Sequence, residues 1–246
     1  MKRQKLLRFI LLFLLILLVL TGSALGYLRL RTYRSMPEAT TAMAQSNVSI
    51  VRRIIVFDPP GEVVASLVLY QGGLVETEAY AVLAQLLSDE GIRVFMPRMP
   101  LQLSILNTKE FDRIYDEYYD GEKWYIGGHS LGGAAAALYA AGRHERVSGL
   151  VLLGAYPANS SDLSGARIPV LSITASDDQV MDRQRFAATQ VLLPQNTTFS
   201  ELQGGNHANF GYYGPQNGDG PATISREEQH RLTVVLMMEF IEGEGR

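Results

Sequence analysis

From about residue 47 onward, short runs rich in Val, Ile and Leu alternate with segments of helical period, and this alternation restricts the chain more than any other feature. The runs 48–57, 63–70, 92–96, 123–127, 147–153 and 169–174 read as strands, with a last one at 198–202. Between them, Tyr80, Leu83, Ala84 and Leu87 recur at helical spacing, as do Phe111, Ile114, Tyr115 and Tyr118, so each set forms one apolar helix face. Gly91 and Gly121 stand where helix C-terminal caps belong, and Ser225 with Glu228 makes a capping box for the last helix. Strands apolar on both sides and separated by helices pair in parallel beneath two helical layers. The expected fold class is therefore α/β, with a mostly parallel central sheet and helices on both faces.

The N-terminus follows a different pattern. Lys2, Arg3, Lys5 and Arg8 precede an uncharged apolar stretch over residues 9–28. A helix needs roughly 20 such residues to span a bilayer. Ala24-Leu25-Gly26 resembles a signal-peptide cleavage site, but the stretch exceeds the about 7–15 residues usual for a signal's apolar region, which favours an anchor. Arg29, Arg31 and Arg34 nearly balance the N-terminal charges, so orientation rests on the secretion-like opening, which puts the body outside the cytoplasm. The expected organisation is an anchor or uncleaved signal over 1–35, a linker over 36–46 and one globular domain over 47–246.

With 246 residues there is no room for a second large domain. A net charge of −3, with no Lys/Arg run in the body, argues against a nucleic-acid partner and leaves small molecules and, through the N-terminal helix, the lipid bilayer. Cysteine is absent, which removes disulfides, thiolate nucleophiles and cysteine zinc sites. His129, His144, His207 and His230 form no HExxH spacing, and the chemistry below requires no metal or cofactor.

After the apolar run ending near Ile126 comes Gly128-His129-Ser130-Leu131-Gly132-Gly133, followed by an Ala-rich helical stretch. This is a G-x-S-x-G nucleophile elbow in the strand, turn, helix setting it needs. A Gly-rich turn without chemistry is the alternative, and the setting favours the nucleophile Ser130. His129 reads as a structural occupant of the variable position. A serine hydroxyl needs a base oriented by a carboxylate, in the chain order Ser, acid, His. The loop Ala175-Ser176-Asp177-Asp178 follows an apolar strand and offers the acid, although one aspartate could instead cap the next helix. His207, in a Gly-rich loop, is the candidate base, whereas His144 reads as a charge near a helix C-terminus and His230 as a polar-face residue. The oxyanion donors are expected to be the N–H of Leu131 and one from the loop Tyr70-Gln71-Gly72-Gly73, with Gly73 preferred and Gly72 next.

With these residues placed, the chain resembles the α/β-hydrolase superfamily over about residues 47–240, and more narrowly a group of small bacterial membrane-anchored α/β-hydrolases. The resemblance rests on Tyr70-Gln71-Gly72-Gly73-Leu74-Val75, Met99-Pro100-Leu101, Gly127 through Gly133, Gly204-Gly205-Asn206-His207-Ala208-Asn209-Phe210-Gly211, Tyr213-Gly214-Pro215-Gln216, and the run from Ala222 to Gln229. It implies that the acid is the fourth residue of a G-x-x-D-like loop, hence Asp178, with Ala175 standing where the family has glycine. Cap domains in this fold commonly follow the strand that here ends near Leu153, and residues 154–168 leave space for none. Residues 210–221, with Tyr212 and Tyr213, are then the nearest cover for the site. The function expected is hydrolysis of an ester or related acyl bond. An acyltransferase to an envelope acceptor and a non-catalytic binding protein on the same fold are the alternatives.

Overall fold

A computed structural model of the chain describes residues 2–243. It divides into two units, one ending at Thr32 and the other beginning at Tyr33. The first holds helix α1 (Lys2–Arg31), whose Gln4–Arg31 portion contains an 18-residue stretch of mean hydropathy 2.7, none of it buried. A helix apolar all round and exposed all round is matched to an apolar medium, and this one is long enough to cross a membrane. Anchors and signal sequences share that property.

The second unit is an eight-stranded sheet ordered β1 (Val48–Val51), β2 (Ile54–Phe57), β4 (Ile92–Pro97), β3 (Ala65–Tyr70), β5 (Lys123–His129), β6 (Gly149–Leu153), β7 (Val170–Ala175) and β8 (Thr198–Leu202). The pairs β1/β2 and β2/β4 are antiparallel and all the others parallel. Period-two alternation divides the core between the two faces. Leu67 and Leu69 of β3 pack on one side with α3 (Ala81–Asp89) and α7 (Arg226–Gly243), while Val68 and Tyr70 pack on the other with α4 (Glu110–Tyr118) and α5 (Leu131–Arg143). Gly91 and Gly121 take positive φ just beyond α3 and α4, and Glu228 N–H donates to Ser225 Oγ at the start of α7, 3.1 Å.

Four sequence readings need correction. The run 48–57 is two strands, because Arg52 adopts φ 56° and reverses the chain between Val51 and Ile54. Residues 36–46 are no free linker: α2 (Pro37–Met43) buries Ala39 and Ala42 in the core, so the compact unit starts well before residue 47. His230 is 1% exposed and meets the Tyr212 ring edge-on at 4.9 Å, because its face of α7 is covered by the segment after His207. That segment is packed instead of covering the site as expected: Tyr212 and Tyr213 lie in the core, and Tyr212 N–H donates to Ala79 O at 2.7 Å.

If α2 is a structural part of the domain, Ala39→Leu should overpack the fully buried site and cost about 1–3 kcal/mol. Thermal unfolding should shift down by about 2–4 °C per kcal/mol. An unchanged melting temperature would show that 36–46 behaves as a linker after all.

Candidate active site

The carboxyl ends of β3, β5, β6, β7 and β8 bring five loops together. At the end of β5 the chain turns directly into α5, and Ser130 between them adopts φ 54° and ψ −121°. A non-glycine residue held there costs on the order of 1–3 kcal/mol and persists only where its surroundings impose it. Two glycines create those surroundings. A Cβ on Gly132 would overlap the carbonyl oxygens of Tyr70 and Gln71, and one on Gly128 would overlap the Gly132 backbone. Only without those atoms can α5 start against the end of β3.

Asp178 lies in the loop after β7 and His207 in the loop after β8, and both are buried. His207 Nδ1 donates to Asp178 Oδ2 over 2.7 Å. The other carboxylate oxygen, Asp178 Oδ1, accepts from Val180 N–H (2.9 Å) and Met181 N–H (2.8 Å). Burial pushes the Asp178 carboxyl up, but the bonds from His207, Met181 and Val180 outweigh it and hold the group below the ordinary carboxylate value. With Nδ1 so bound, His207 Nε2 at the far edge of the ring has no hydrogen-bond partner among the described residues. Ser130 and His207 line one cavity of about 280 Å³ together with Leu131, Ala155, Val180 and Met181. The neighbouring Asp177 donates its backbone N–H to Gly205 O over 2.8 Å.

The loop after β3 is fixed on either side of Gly73. Gly72 N–H donates to Tyr80 Oη (3.0 Å) and Leu74 N–H donates to Gln102 O (2.9 Å), so Gly72 is committed to an internal partner. Gly73 lies against the Leu131 side chain, and its N–H takes no hydrogen bond among the described residues. Leu131 is the first residue of α5, where a backbone N–H has no intrahelical acceptor.

Several supporting residues carried no signal of their own in the sequence. Tyr80 Oη also meets His129 Nδ1 at 2.8 Å, and the His129 ring lies 4.4 Å from that of His207. Burial, then the nearby His207, pushes His129 well below its ordinary value, so it sits neutral beneath the candidate base. Asp219 clamps the His207 loop by accepting from Ala208 N–H (2.8 Å) and His207 N–H (3.3 Å). Gln229 of α7 donates to Asn206 O at 2.8 Å and accepts from Asn206 N–H at 3.0 Å. Gly154, with φ +50°, sits over the pair, because a Cβ there would come within 3.2 Å of His207 Nδ1. His144 is exposed on a 3₁₀ turn after α5, remote in role from these residues.

Comparison with known proteins agrees with this fold. The model of the alpha/beta hydrolase family matches residues 66–231, and the chain belongs to that family. No curated protein matches the sequence. Among solved structures, an α/β-hydrolase enzyme from a lagoon-sediment metagenome (Mar Chica, Morocco) superposes with TM-score 0.61 at 16% identity, covering 81% of this chain and 99% of that one. Est1E from Butyrivibrio proteoclasticus gives 0.59 at 14% identity, covering 80% and 100%. Dienelactone hydrolase from Anabaena variabilis gives 0.56 at 17% identity, covering 76% and 90%. At these identities the likeness is one of fold.

Buried histidines set a pH dependence with a defined sign. Burial drives His230 down to about 3 and His129 well below 6.5, while an unfolded histidine binds its proton near 6.5. The folded pKa is depressed, so the contribution to stability is complete above about pH 6.5 and is lost as pH falls toward the folded values. Denaturant midpoints of the wild type should therefore decline between about pH 6.5 and 4, and His230→Gln should flatten that decline. Parallel curves for the two proteins would contradict neutral burial.

Proposed function

We propose that the protein is a serine ester hydrolase working through an acyl-enzyme, with Ser130 as nucleophile, His207 as general base and Asp178 as the acid that orients it. The observation that carries this reading is the buried His207–Asp178 bond of 2.7 Å beside a cavity that Ser130 also lines. In the first half-reaction Ser130 Oγ attacks the ester carbonyl carbon while His207 Nε2 takes the hydroxyl proton. Asp178, already ionised, holds Nδ1–H and stabilises the imidazolium. The oxyanion is received by the N–H groups of Leu131 and Gly73, one orphaned at a helix start and the other with no acceptor of its own. His207 returns the proton to the leaving alkoxide, and a water activated by the same base then releases the acid from Ser130.

The cavity suggests the acyl size. At about 280 Å³ it lies just under the roughly 300–1,000 Å³ typical of drug-sized ligands, and Leu131, Ala134, Ala155, Val180 and Met181 give it small apolar walls. An adjoining cavity of about 620 Å³ shares Ala134 and Tyr156 with it and gives the alcohol portion room. The names of two structural neighbours, an esterase-type Est1E that has been crystallised with ferulic acid and a dienelactone hydrolase, are in keeping with an ester substrate. The apolar α1 supports a single-pass anchor, and the secretion-like N-terminus supports an extracytoplasmic active domain.

Ser130→Ala and His207→Ala should each abolish ester turnover while leaving the melting temperature nearly unchanged. Asp178→Asn should lower kcat by several orders of magnitude, about 10⁴ in the best-studied triad, because an amide no longer stabilises the imidazolium. Asp177→Asn should cost far less, and the reverse ranking would move the acid to Asp177.

Acyl-chain dependence is the second measurement. Each added CH₂ contributes about 0.8 kcal/mol only while it is buried. Thus kcat/KM should rise over the first few carbons and then level off, without a jump at the micellar threshold. A rise continuing to long-chain esters would refute the small acyl pocket.

A further inference from the structure

Backbone and side-chain contacts join the segment just beyond α1 to two loops of the site. Tyr33 forms an isolated parallel bridge with Val75: its N–H donates to Leu74 O (2.7 Å) and its carbonyl accepts from Glu76 N–H (3.0 Å). The next residues strengthen the bond to the same loop. Glu76 Oε2 accepts from Ser35 N–H (2.9 Å) and Ser35 Oγ (3.1 Å), and Glu76 Oε1 accepts from Arg34 at 2.6 Å. Leu74 is the residue immediately after Gly73 and holds φ 56°, a conformation that needs external support.

On its other side the segment grips the chain that follows His207. Met36 N–H donates to Tyr212 O at 2.8 Å, and Asn217 N–H donates to Tyr33 Oη at 3.2 Å. The Tyr33 ring lies 5.6 Å from that of Tyr213, which in turn lies 6.3 Å from His129 beneath His207. Ala79 makes a second, shorter link between the same loops, its N–H donating to Glu76 O (3.0 Å) and its carbonyl accepting from Tyr212 N–H (2.7 Å).

From these contacts we propose that residues 33–36 form a positioning clasp for the active site, in which Tyr33 sets the loop carrying Gly73 against the loop following His207. This rests on the triad reading above. The clasp touches no reacting atom and acts by holding the Gly73 N–H where the oxyanion develops. Tyr33 follows the last residue of α1 by only two positions. Preorganised donors stabilise the transition state more than the bound ester, so a loosened clasp should appear in kcat and leave KM nearly alone. A segment that merely added stability would change the melting temperature and leave the kinetics of the folded protein intact.

The test uses the full chain in native membranes or detergent, at a temperature where circular dichroism shows every variant folded. Tyr33→Ala removes the ring contact and the bond from Asn217. It should lower kcat about tenfold, short of the ~100-fold that losing an oxyanion donor outright costs, with KM within about twofold. The rate of fluorophosphonate labelling should fall in parallel, since phosphonylation uses the same donors. Tyr33→Phe keeps the ring and both backbone bonds, and should stay within about threefold of wild type. Glu76→Ala, which removes the acceptor for Ser35 and Arg34, should give an intermediate fall in kcat and decides the matter if Tyr33→Ala does not fold. Wild-type kcat in Tyr33→Ala or in Glu76→Ala would overturn the clasp, and so would a fall in Tyr33→Phe equal to that in Tyr33→Ala. Ser130→Ala in the same preparation separates the two claims: retained activity there sinks the triad reading, whereas an inactive Ser130→Ala beside wild-type kcat in Tyr33→Ala sinks the clasp alone.

Discussion

The start of α5 lies against the ends of β3 and β5 at a distance that admits no Cβ at Gly128 or Gly132. Close packing of a helix start on a sheet edge is a steric condition, and the rest of the site follows from it. It forces Ser130 to φ 54°, holds the unpaired N–H of Leu131 at the cavity, and places the Leu131 side chain against Gly73. The strain at Ser130 is offset by the parallel ladders of β3, β5 and β6, which are buried except at Lys123.

The buried carboxylate at this point is supplied with partners. Asp178 has three hydrogen bonds, two of them from backbone N–H groups, and so remains charged in a buried setting. His129 and His230 follow the opposite course and stay neutral, the first bonded to Tyr80 and the second packed on Tyr212. Asp219, Asn206 and Gln229 hold the backbone on either side of His207. The base is thereby fixed from three directions without using its Nε2.

Local chemistry made the elbow legible from sequence, since Gly-His-Ser-Leu-Gly between a Val/Ile run and an Ala-rich stretch has one comfortable geometry. Chain order singled out the 175–178 loop and His207, the family resemblance pointed to Asp178 within that loop, and the structure brings the Asp178 and His207 side chains into contact. What sequence missed depends on distant partners. Nothing local in the 48–57 run marks the Arg52 turn, and nothing in the α7 pattern shows that Tyr212 will cover His230. Residues 33–46 look like a spacer between an apolar helix and a domain, yet their hydrogen bonds go to Leu74, Glu76 and Tyr212, far along the chain. Asp219 and Tyr80 are unremarkable in sequence for the same reason: their roles are defined by the backbone N–H groups of other loops.

The central claim is that Ser130 is activated as a nucleophile by its surroundings. The most direct measurement is reaction of the full-length protein with a fluorophosphonate, followed by mass spectrometry of the proteolytic peptides. The account predicts one stoichiometric adduct, on Ser130, whose formation stops when His207 is replaced by alanine. Absence of an adduct on folded protein, or an adduct on a different residue, would contradict it.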